Sequence, residues 1–189
     1  MSTVVSVMDE DSWDARTDNI AVVEPARKRI LWIPRDLWCP RLDNRINRAF
    51  AIGGGHELLI ASLREHGIHV DASVCIRRGA TARALKYESV RVPIERPMKF
   101  WYPLWPLVST EEARKIVEFH PPGEILTGER IHQWLGARKS LDGDQSDLQR
   151  LERHKIFISA LITGSFDFSK LLNDRDRISI HGTGAMEDL

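Results

Sequence analysis

The stretch Glu124–Trp134, with the sequence EILTGERIHQW, contains the residues whose types and spacing best suit phosphate chemistry. A short apolar run ends at Thr127, a glycine follows, and an acidic and a basic residue open the next predicted helix. The first turn of a helix presents free N–H groups and the positive end of the helix dipole, which favour phosphate binding. Gly128 lets the backbone approach a ligand, and Arg130 can donate two hydrogen bonds to phosphate oxygens. Residues 127–130 are therefore a candidate nucleotide site, although the pattern is also typical of an ordinary strand-to-helix connection.

Glu129 is the candidate for hydrolytic chemistry at this turn. Its carboxylate could hold a divalent metal such as Mg²⁺ or activate a water, while Arg130 stabilises the charge that develops on phosphate. His132 could assist proton transfer, although a surface histidine is the simpler interpretation. Four upstream residues could complete the site, namely Arg45 and Arg48 as second-wall phosphate contacts and Asp43 and Glu65 as reserve carboxylates.

Predicted strands and helices frame the turn on both sides. Apolar runs and alternation predict strands over Ile30–Ile33, Val70–Ile76, Ser89–Ile94 and Glu124–Thr127. Helical spacing and end signals predict helices over His56–His66, Ser109–Phe119 and from Glu129 to about Lys139. Pro97–Pro106 is too rich in proline to be regular throughout, and Lys155–Thr163 fits either a strand or a helix.

This mixture predicts one α+β (mixed α/β) domain. We expect residues 1–18 to form a flexible acidic tail, residues 19–172 the domain, and residues 173–189 a weakly ordered tail.

Composition excludes several classes of protein. The chain has 189 residues, 42% hydrophobic and 29% charged, which is ordinary for a globular domain. No stretch reaches the roughly eighteen apolar residues of a membrane span, and the acidic start does not resemble a secretory signal. Cys39 and Cys75 are too far apart for a zinc motif. We therefore expect a cytoplasmic bacterial protein without an integral membrane segment, which could associate with the inner membrane through a partner.

Charge is balanced overall but uneven along the chain. With 27 basic and 27 acidic residues the net charge is zero, yet residues 27–48 and 77–99 each carry a local charge of +5. Both segments could contact DNA, or both could be solvated faces balanced by acidic neighbours. Trp101, Tyr102 and Trp105 could stack on bases, although a small satellite core under a long loop is the slightly favoured interpretation. The candidate DNA-binding residues are Arg77, Arg78, Arg83 and Lys99.

Three motifs in order resemble the ParB/sulfiredoxin superfamily. Thr127–Arg130 resembles its Gly-Glu-Arg-Arg phosphate signature, Leu59–Ile68 resembles the helix and turn before that signature, and Asp43–Phe50 resembles the Asn/Arg segment at the start of the ParB domain. Ile131 replaces the second arginine, and neither cysteine lies in the turn, which argues against sulfinic-acid reduction. The long spacing before Gly128 indicates an inserted basic and aromatic segment at about residues 77–119.

The length and the inserted segment extend the resemblance to plasmid-encoded fertility-inhibition proteins of this superfamily. The resemblance implies an ATP-binding and ATP-hydrolysing DNA nuclease, with a divalent metal, that blocks DNA transfer by conjugative or type IV secretion systems. Its implied partners are DNA, ATP and a coupling protein or relaxase–DNA complex. The alternative is a non-catalytic module that binds a nucleotide or protein partner and inhibits transfer by occupying a coupling or relaxase component.

Overall fold

The computed structural model describes residues 2–9, 14–103, 114–142, 147–164, 166–167, 169–172 and 175–182. The strands and helices occur in the following chain order: β1 Thr3–Met8, β2 Thr17–Glu24, β3 Arg29–Ile33, β4 Trp38–Cys39, β5 Asn44–Arg45, α1 Gly55–Glu65, β6 Ala72–Ile76, α2 Arg78–Ala84, β7 Ser89–Pro93, β8 Met98–Pro103, β9 Arg114–Phe119, β10 Gly123–Thr127, α3 Glu129–Gly136, β11 Arg138–Ser140, α4 Asp147–Thr163, α5 Ser169–Leu172 and β12 Ile178–His181.

The expected mixed α+β class is confirmed by this series of elements. Contacts divide the chain into two compact units, residues 1–84 with 168–189 and residues 85–167. Among the described residues, no helix is both long and apolar enough to cross a bilayer.

The first unit is built on a five-stranded mixed sheet in the order β12-β6-β1-β2-β3. Strand β1 pairs parallel to β6 and antiparallel to β2. Val4 and Met8 point into one buried core, whereas the half-buried Val5 and Val7 pack against a second apolar cluster on the other face. Helix α1 covers the face of Val4 and Met8 with Leu59 and Leu63, which are fully buried in the same core. The segment 1–18, which we expected to be a tail, thus supplies β1 and the start of β2.

Strand pairing brings several strand ends to one edge of this sheet. Met8, the last residue of β1, pairs with Thr17, the first residue of β2. Because β3 runs antiparallel to β2 and β6 runs parallel to β1, both β3 and β6 also end at this edge. The residues that follow β1, β3 and β6 therefore gather around the residues that begin β2.

The second unit contains a three-stranded sheet in the order β11-β8-β9 and the pair β10-β7. Its aromatic core contains Phe100, Phe119, Trp134 and Phe157, each no more than 2% exposed. Phe119 packs edge-on against Trp134 with 4.9 Å between ring centroids. Helix α4 packs against β7 and α3, so Lys155–Thr163 belongs to a helix.

The predicted helix Ser109–Phe119 is wrong from residue 114 onwards, where the chain forms β9. Val117 and Phe119 are buried and Ile116 is 51% exposed, which is the alternation of a strand. Strand β9 pairs antiparallel with β8, with Met98 opposite Phe119 and Pro103 opposite Arg114, and this pairing stabilises the strand. Local capping signals could not reveal such a distant partner. The described residues of the supposed insertion at 77–119 form the regular elements α2, β7, β8 and β9.

Candidate functional site

Arginine side chains are concentrated at the edge of the first sheet where β1, β3 and β6 end. Arg16 is exposed and directly precedes β2, and Arg35 follows β3 after a single proline. Arg77 and Arg78 follow β6 directly. The edge thus collects positive charge from three segments that are distant in sequence.

Asp18 is the acidic partner of Arg35 at this edge. The guanidinium of Arg35 donates a short hydrogen bond to the Asp18 carboxylate, and each side chain is only 15% exposed. A partly buried ion pair of this kind fixes the arginine in one orientation. The Arg35 guanidinium is therefore held in a fixed orientation at the sheet edge.

Asn47 joins the same cluster through its backbone. Its N–H donates to the Arg35 carbonyl at 3.2 Å, and its carbonyl accepts from the Thr17 hydroxyl at 3.5 Å. The side chain is buried, with 2% exposure, yet its Oδ1 has no hydrogen-bond partner among the described residues. The Nε of the neighbouring Arg48 is also buried and without such a partner. Because buried polar atoms are normally paired, these two atoms could form hydrogen bonds with polar groups of a ligand.

Arg77 and Arg78 are held by backbone carbonyls. The N–H of Arg77 donates to the Arg177 carbonyl at 2.9 Å, and its guanidinium donates to the Asp176 carbonyl. The exposed Arg78 reaches the Asp9 carbonyl at 3.4 Å. Both side chains are thus anchored to backbone carbonyls.

We term the residues Arg16, Arg35, Arg48, Arg77 and Arg78 the basic edge. Arginine donors in fixed orientations suit phosphate oxygens, and the accumulated charge attracts anions. Within the described residues, no group of three or more His, Cys, Asp or Glu side chains is arranged to hold a metal ion. The basic edge is therefore chemically suited to a phosphate-bearing anion.

The sequence-predicted turn at residues 127–130 has its arginine bound within the protein. Arg130 donates to both carboxylate oxygens of Glu124 at 2.8 and 2.6 Å, to Gln133 at 3.0 Å and to the Glu118 carbonyl. Its guanidinium also lies 4.2 Å from the centre of the Phe119 ring. Most of the donors of Arg130 are thus bound within the protein, where they tie β10 to α3.

Glu129 is exposed and bound by two neighbours. Its carboxylate accepts from Lys115 at 2.6 Å and from Gln133 at 2.9 Å. The hydrogen bond from Lys115, followed by that from Gln133, lowers the pKa of this carboxyl below its usual value. Gly128 has φ 45° and ψ −119°, a conformation that favours glycine, and Thr127 is exposed. The backbone conformation of the turn is therefore sufficient to explain the glycine at position 128, without a bound ligand.

The remaining sequence-predicted residues are divided between the two units. Arg45 pairs with Asp36 at 2.8 Å, and Glu65 pairs with Arg41 at 2.8 Å. In the second unit Lys99 pairs with Glu118 at 3.2 Å. Arg45, Arg48, Arg77, Arg78, Arg83, Asp43 and Glu65 lie in the first unit, whereas Thr127–Arg130, Lys99 and His132 lie in the second.

The aromatic residues proposed to stack on bases occur on or near β8. Trp101 and Tyr102 are partly buried there, and Trp105 lies outside the described residues. Trp101 pairs with Ile116 across β8 and β9, so this part of the supposed loop belongs to a hairpin.

Sequence reasoning missed Arg16, Asp18, Arg35 and Asn47. Arg16 and Asp18 fall within the flexible tail expected over residues 1–18. The available signal was a charged residue close to the end of a predicted strand, as with Arg35 two residues after Ile33. That signal identifies a site only when other strands are known to end at the same edge.

The Arg130 contacts predict a structural phenotype. Arg130→Ala should lower the free energy of unfolding by about 1.5–3 kcal/mol, because it removes charged hydrogen bonds and leaves the Glu124 carboxylate with only the His120 N–H as a donor among the described residues. Urea denaturation followed by circular dichroism measures this, and phosphate-ligand affinity should change less than about twofold. Normal stability with a large loss of affinity would place a ligand at the turn instead.

Solved structures share this fold. TagT bound to LI-WTA matches with a TM-score of 0.67 and 20% identity, covering 99% of this chain and 71% of that one. TagV of B. subtilis matches with a TM-score of 0.62 and 16% identity, covering 96% and 73%. A protein of Eubacterium siraeum, described as a transcription regulator, matches with a TM-score of 0.69 and 12% identity, covering 99% and 72%. At these identities the matches establish the fold alone. No curated protein sequence matches significantly.

These findings correct the interpretation based on short motifs. The resemblance to ParB/sulfiredoxin proteins and to the fertility-inhibition protein Osa is wrong, since neither the solved structures nor the family match supports it. The expected DNase and ATPase activities, the block of conjugation and the DNA, coupling-protein and relaxase partners are wrong for the same reason. The binding of ATP and Mg²⁺ is tested by none of these findings and stays a prediction.

A whole-sequence comparison overrides the three short motifs. The sequence model of the LytR-CpsA-Psr family matches residues 5–180, nearly the whole chain, including every residue of the basic edge. The motifs that suggested ParB each cover about ten residues or fewer and depend on common residue types. This chain belongs to the LytR-CpsA-Psr family.

Proposed function

We propose that this protein transfers a phosphate-bearing cell-wall glycopolymer to peptidoglycan, with its donor phosphate bound at the basic edge. The observation that carries the proposal is the family match over residues 5–180. Members of the family are phosphotransferases that transfer polymers to peptidoglycan. Among the structural neighbours, TagT has been solved bound to LI-WTA and to LIIa-WTA, where WTA is wall teichoic acid.

The chemistry of the basic edge supports an anionic substrate. Teichoic acids are polymers of phosphodiesters, and arginine is the side chain best suited to two-point recognition of phosphate. Phosphoryl transfer to a hydroxyl spreads negative charge over the transferred group, so cations in fixed positions stabilise the transition state. The ion pair with Asp18 supplies this fixed position for Arg35.

The unpaired atoms of Asn47 and Arg48 fit the same substrate. The Nε of Arg48 can donate to a phosphate oxygen, and the Oδ1 of Asn47 can accept from a sugar hydroxyl. Together they would form hydrogen bonds with both the phosphate and a hydroxyl group of a sugar phosphate. Because peptidoglycan lies outside the cytoplasmic membrane, the proposal places this activity outside the cytoplasm.

A transfer assay tests the proposal. Purified protein is incubated with a radiolabelled teichoic-acid donor and peptidoglycan, and the insoluble wall fraction is counted. We expect label in the wall fraction with wild type and a loss of at least about 100-fold with Arg35→Ala, the scale of about 3 kcal/mol. Arg27→Ala is the matched control, because Arg27 is 72% exposed and lies beyond the opposite end of β2. Equal transfer by wild type, Arg35→Ala and a no-enzyme control would refute the proposal.

A further inference from the structure

His56, in the first turn of α1, is hydrogen-bonded through both ring nitrogens. Its Nδ1 lies 2.8 Å from the Ser73 hydroxyl of β6, and its Nε2 lies 2.7 Å from the Ser179 hydroxyl of β12. A neutral imidazole donates at one nitrogen and accepts at the other, and a serine hydroxyl can take either role. One neutral side chain therefore links three elements of the first unit.

The pairing of β6 with β12 places the partners of His56 on one face of the sheet. Ser179 pairs with Cys75, and His181 pairs with Ser73. Since side chains alternate along a strand, these four residues face the same side, towards α1. The His181 ring stacks on His56 with 5.9 Å between centroids and 14° between planes, and Phe50 contacts His56 edge-on at 5.1 Å.

We propose that His56 is an acid-released latch that holds the C-terminal strand β12 against β6 and α1. Strand β12 is an edge strand with a single described neighbour in the sheet, so its attachment depends on few contacts. The hydrogen bond between His56 and Ser179 adds a side-chain contact to β12, a strand of only four residues. This proposal does not depend on the transferase activity.

Protonation of His56 opposes the closed arrangement. Burial, and then the neighbouring His181, lower the pKa of His56 from 6.5 to about 4. A histidine whose pKa is lowered by folding gives stability that is complete above pH 6.5 and is lost as the pH falls towards 4. The low pKa also makes His56 a weak base, which argues for a holding role over activation of Ser179 as a nucleophile.

Among the described residues, the groups that face His56 include no compensating acid. From β12 the facing titratable group is His181, which adds a like charge when protonated, and from β6 it is the Cys75 thiol. Burial raises the pKa of Cys75 to about 11, so it stays neutral. The adjacent Glu57 of α1 is exposed, and His181 is the one described residue whose charge shifts the pKa of His56.

Release of β12 would reach the basic edge. The residues just before this strand supply the carbonyls of Asp176 and Arg177 that hold Arg77. Detachment would free the Arg77 side chain and backbone from both carbonyls. Release of the latch at low pH would therefore also loosen Arg77 of the basic edge.

Cys75 is a native reporter of the latch, because it is fully buried directly opposite Ser179. The wild-type protein is labelled with 4,4′-dithiodipyridine between pH 7 and 4.5, rates are normalised to a cysteine peptide, and the two cysteines are separated by peptide mapping. A closed-state pKa of about 4 and an open-state value of 6.5 predict about fifty-fold faster Cys75 labelling at pH 4.5 than at pH 7. Cys39, which is also fully buried, reports general unfolding and should change little.

Two variants complete the test. His56→Gln keeps an uncharged donor and acceptor and should reduce the pH effect on Cys75 labelling to less than about threefold. Ser179→Ala removes the bond to β12 and should speed Cys75 labelling several-fold at pH 7. The proposal is overturned if Cys75 and Cys39 are exposed together, if wild type shows no acid effect, or if His56→Gln retains the full effect. Should His56→Gln not fold, unchanged labelling of Ser179→Ala at pH 7 overturns it alone.

Discussion

Arg35→Ala is expected to weaken binding of a teichoic-acid fragment by about 100-fold, close to 3 kcal/mol. The change removes charge-assisted hydrogen bonds to phosphate. It also removes the cation that offsets the partly buried Asp18 carboxylate beside an anionic ligand, where the two negative charges repel each other. Isothermal titration calorimetry measures the loss, and circular dichroism verifies the fold.

A second substitution separates the two causes of this loss. Adding Asp18→Asn to Arg35→Ala removes the repelling charge and should recover about tenfold of the affinity. Arg27→Ala, at the opposite end of β2, should leave the affinity within about twofold of wild type. Undiminished binding by Arg35→Ala would show that the ligand lies away from the basic edge.

Trp134→Ala should lower the free energy of unfolding by about 3–5 kcal/mol, the usual cost of removing a large buried aromatic side chain. Trp134 has no exposed surface, packs edge-on against Phe119, and donates from Nε1 to the Arg153 carbonyl at 3.0 Å. The loss is about a fifth or more of the roughly 5–15 kcal/mol that stabilises a typical domain. Urea denaturation followed by far-ultraviolet circular dichroism measures it.

Trp38→Ala is the matched control for this prediction. Trp38 is 54% exposed on β4, so its removal should cost less than about 0.5 kcal/mol. Similar losses for the two tryptophans would contradict the position of Trp134 in the core.

Local signals predicted much of the fold. Helix α1 and strands β6, β7 and β10 were anticipated within a few residues, because periodicity, Gly67 after the helix and turn residues act over short distances. Strand β1 was missed, since a short alternating run near the N-terminus resembles a tail until its pairing with β2 and β6 is known. The hairpin β8–β9 was missed because capping signals at Ser109 favoured a helix.

The candidate site could not be derived from local signals. Arg35, Asn47 and Arg77 come together through strand order and register, which sequence spacing does not reveal. The turn at Arg130 seemed suited to phosphate because the sequence pattern, which correctly predicts Glu124 in a strand, does not show where the Glu124 side chain points. In the structure that carboxylate closes on the guanidinium six residues later. Short motifs describe residue types, whereas availability for a ligand depends on neighbours.

A crystal structure of the protein with a short teichoic-acid fragment would show directly where the ligand binds. We expect ligand phosphate within hydrogen-bonding distance of the Arg35 or Arg48 guanidinium, with Arg130 still paired to Glu124. Ligand phosphate bound at Thr127–Arg130, with the pair between Arg130 and Glu124 broken and the basic edge without ligand, would contradict this expectation.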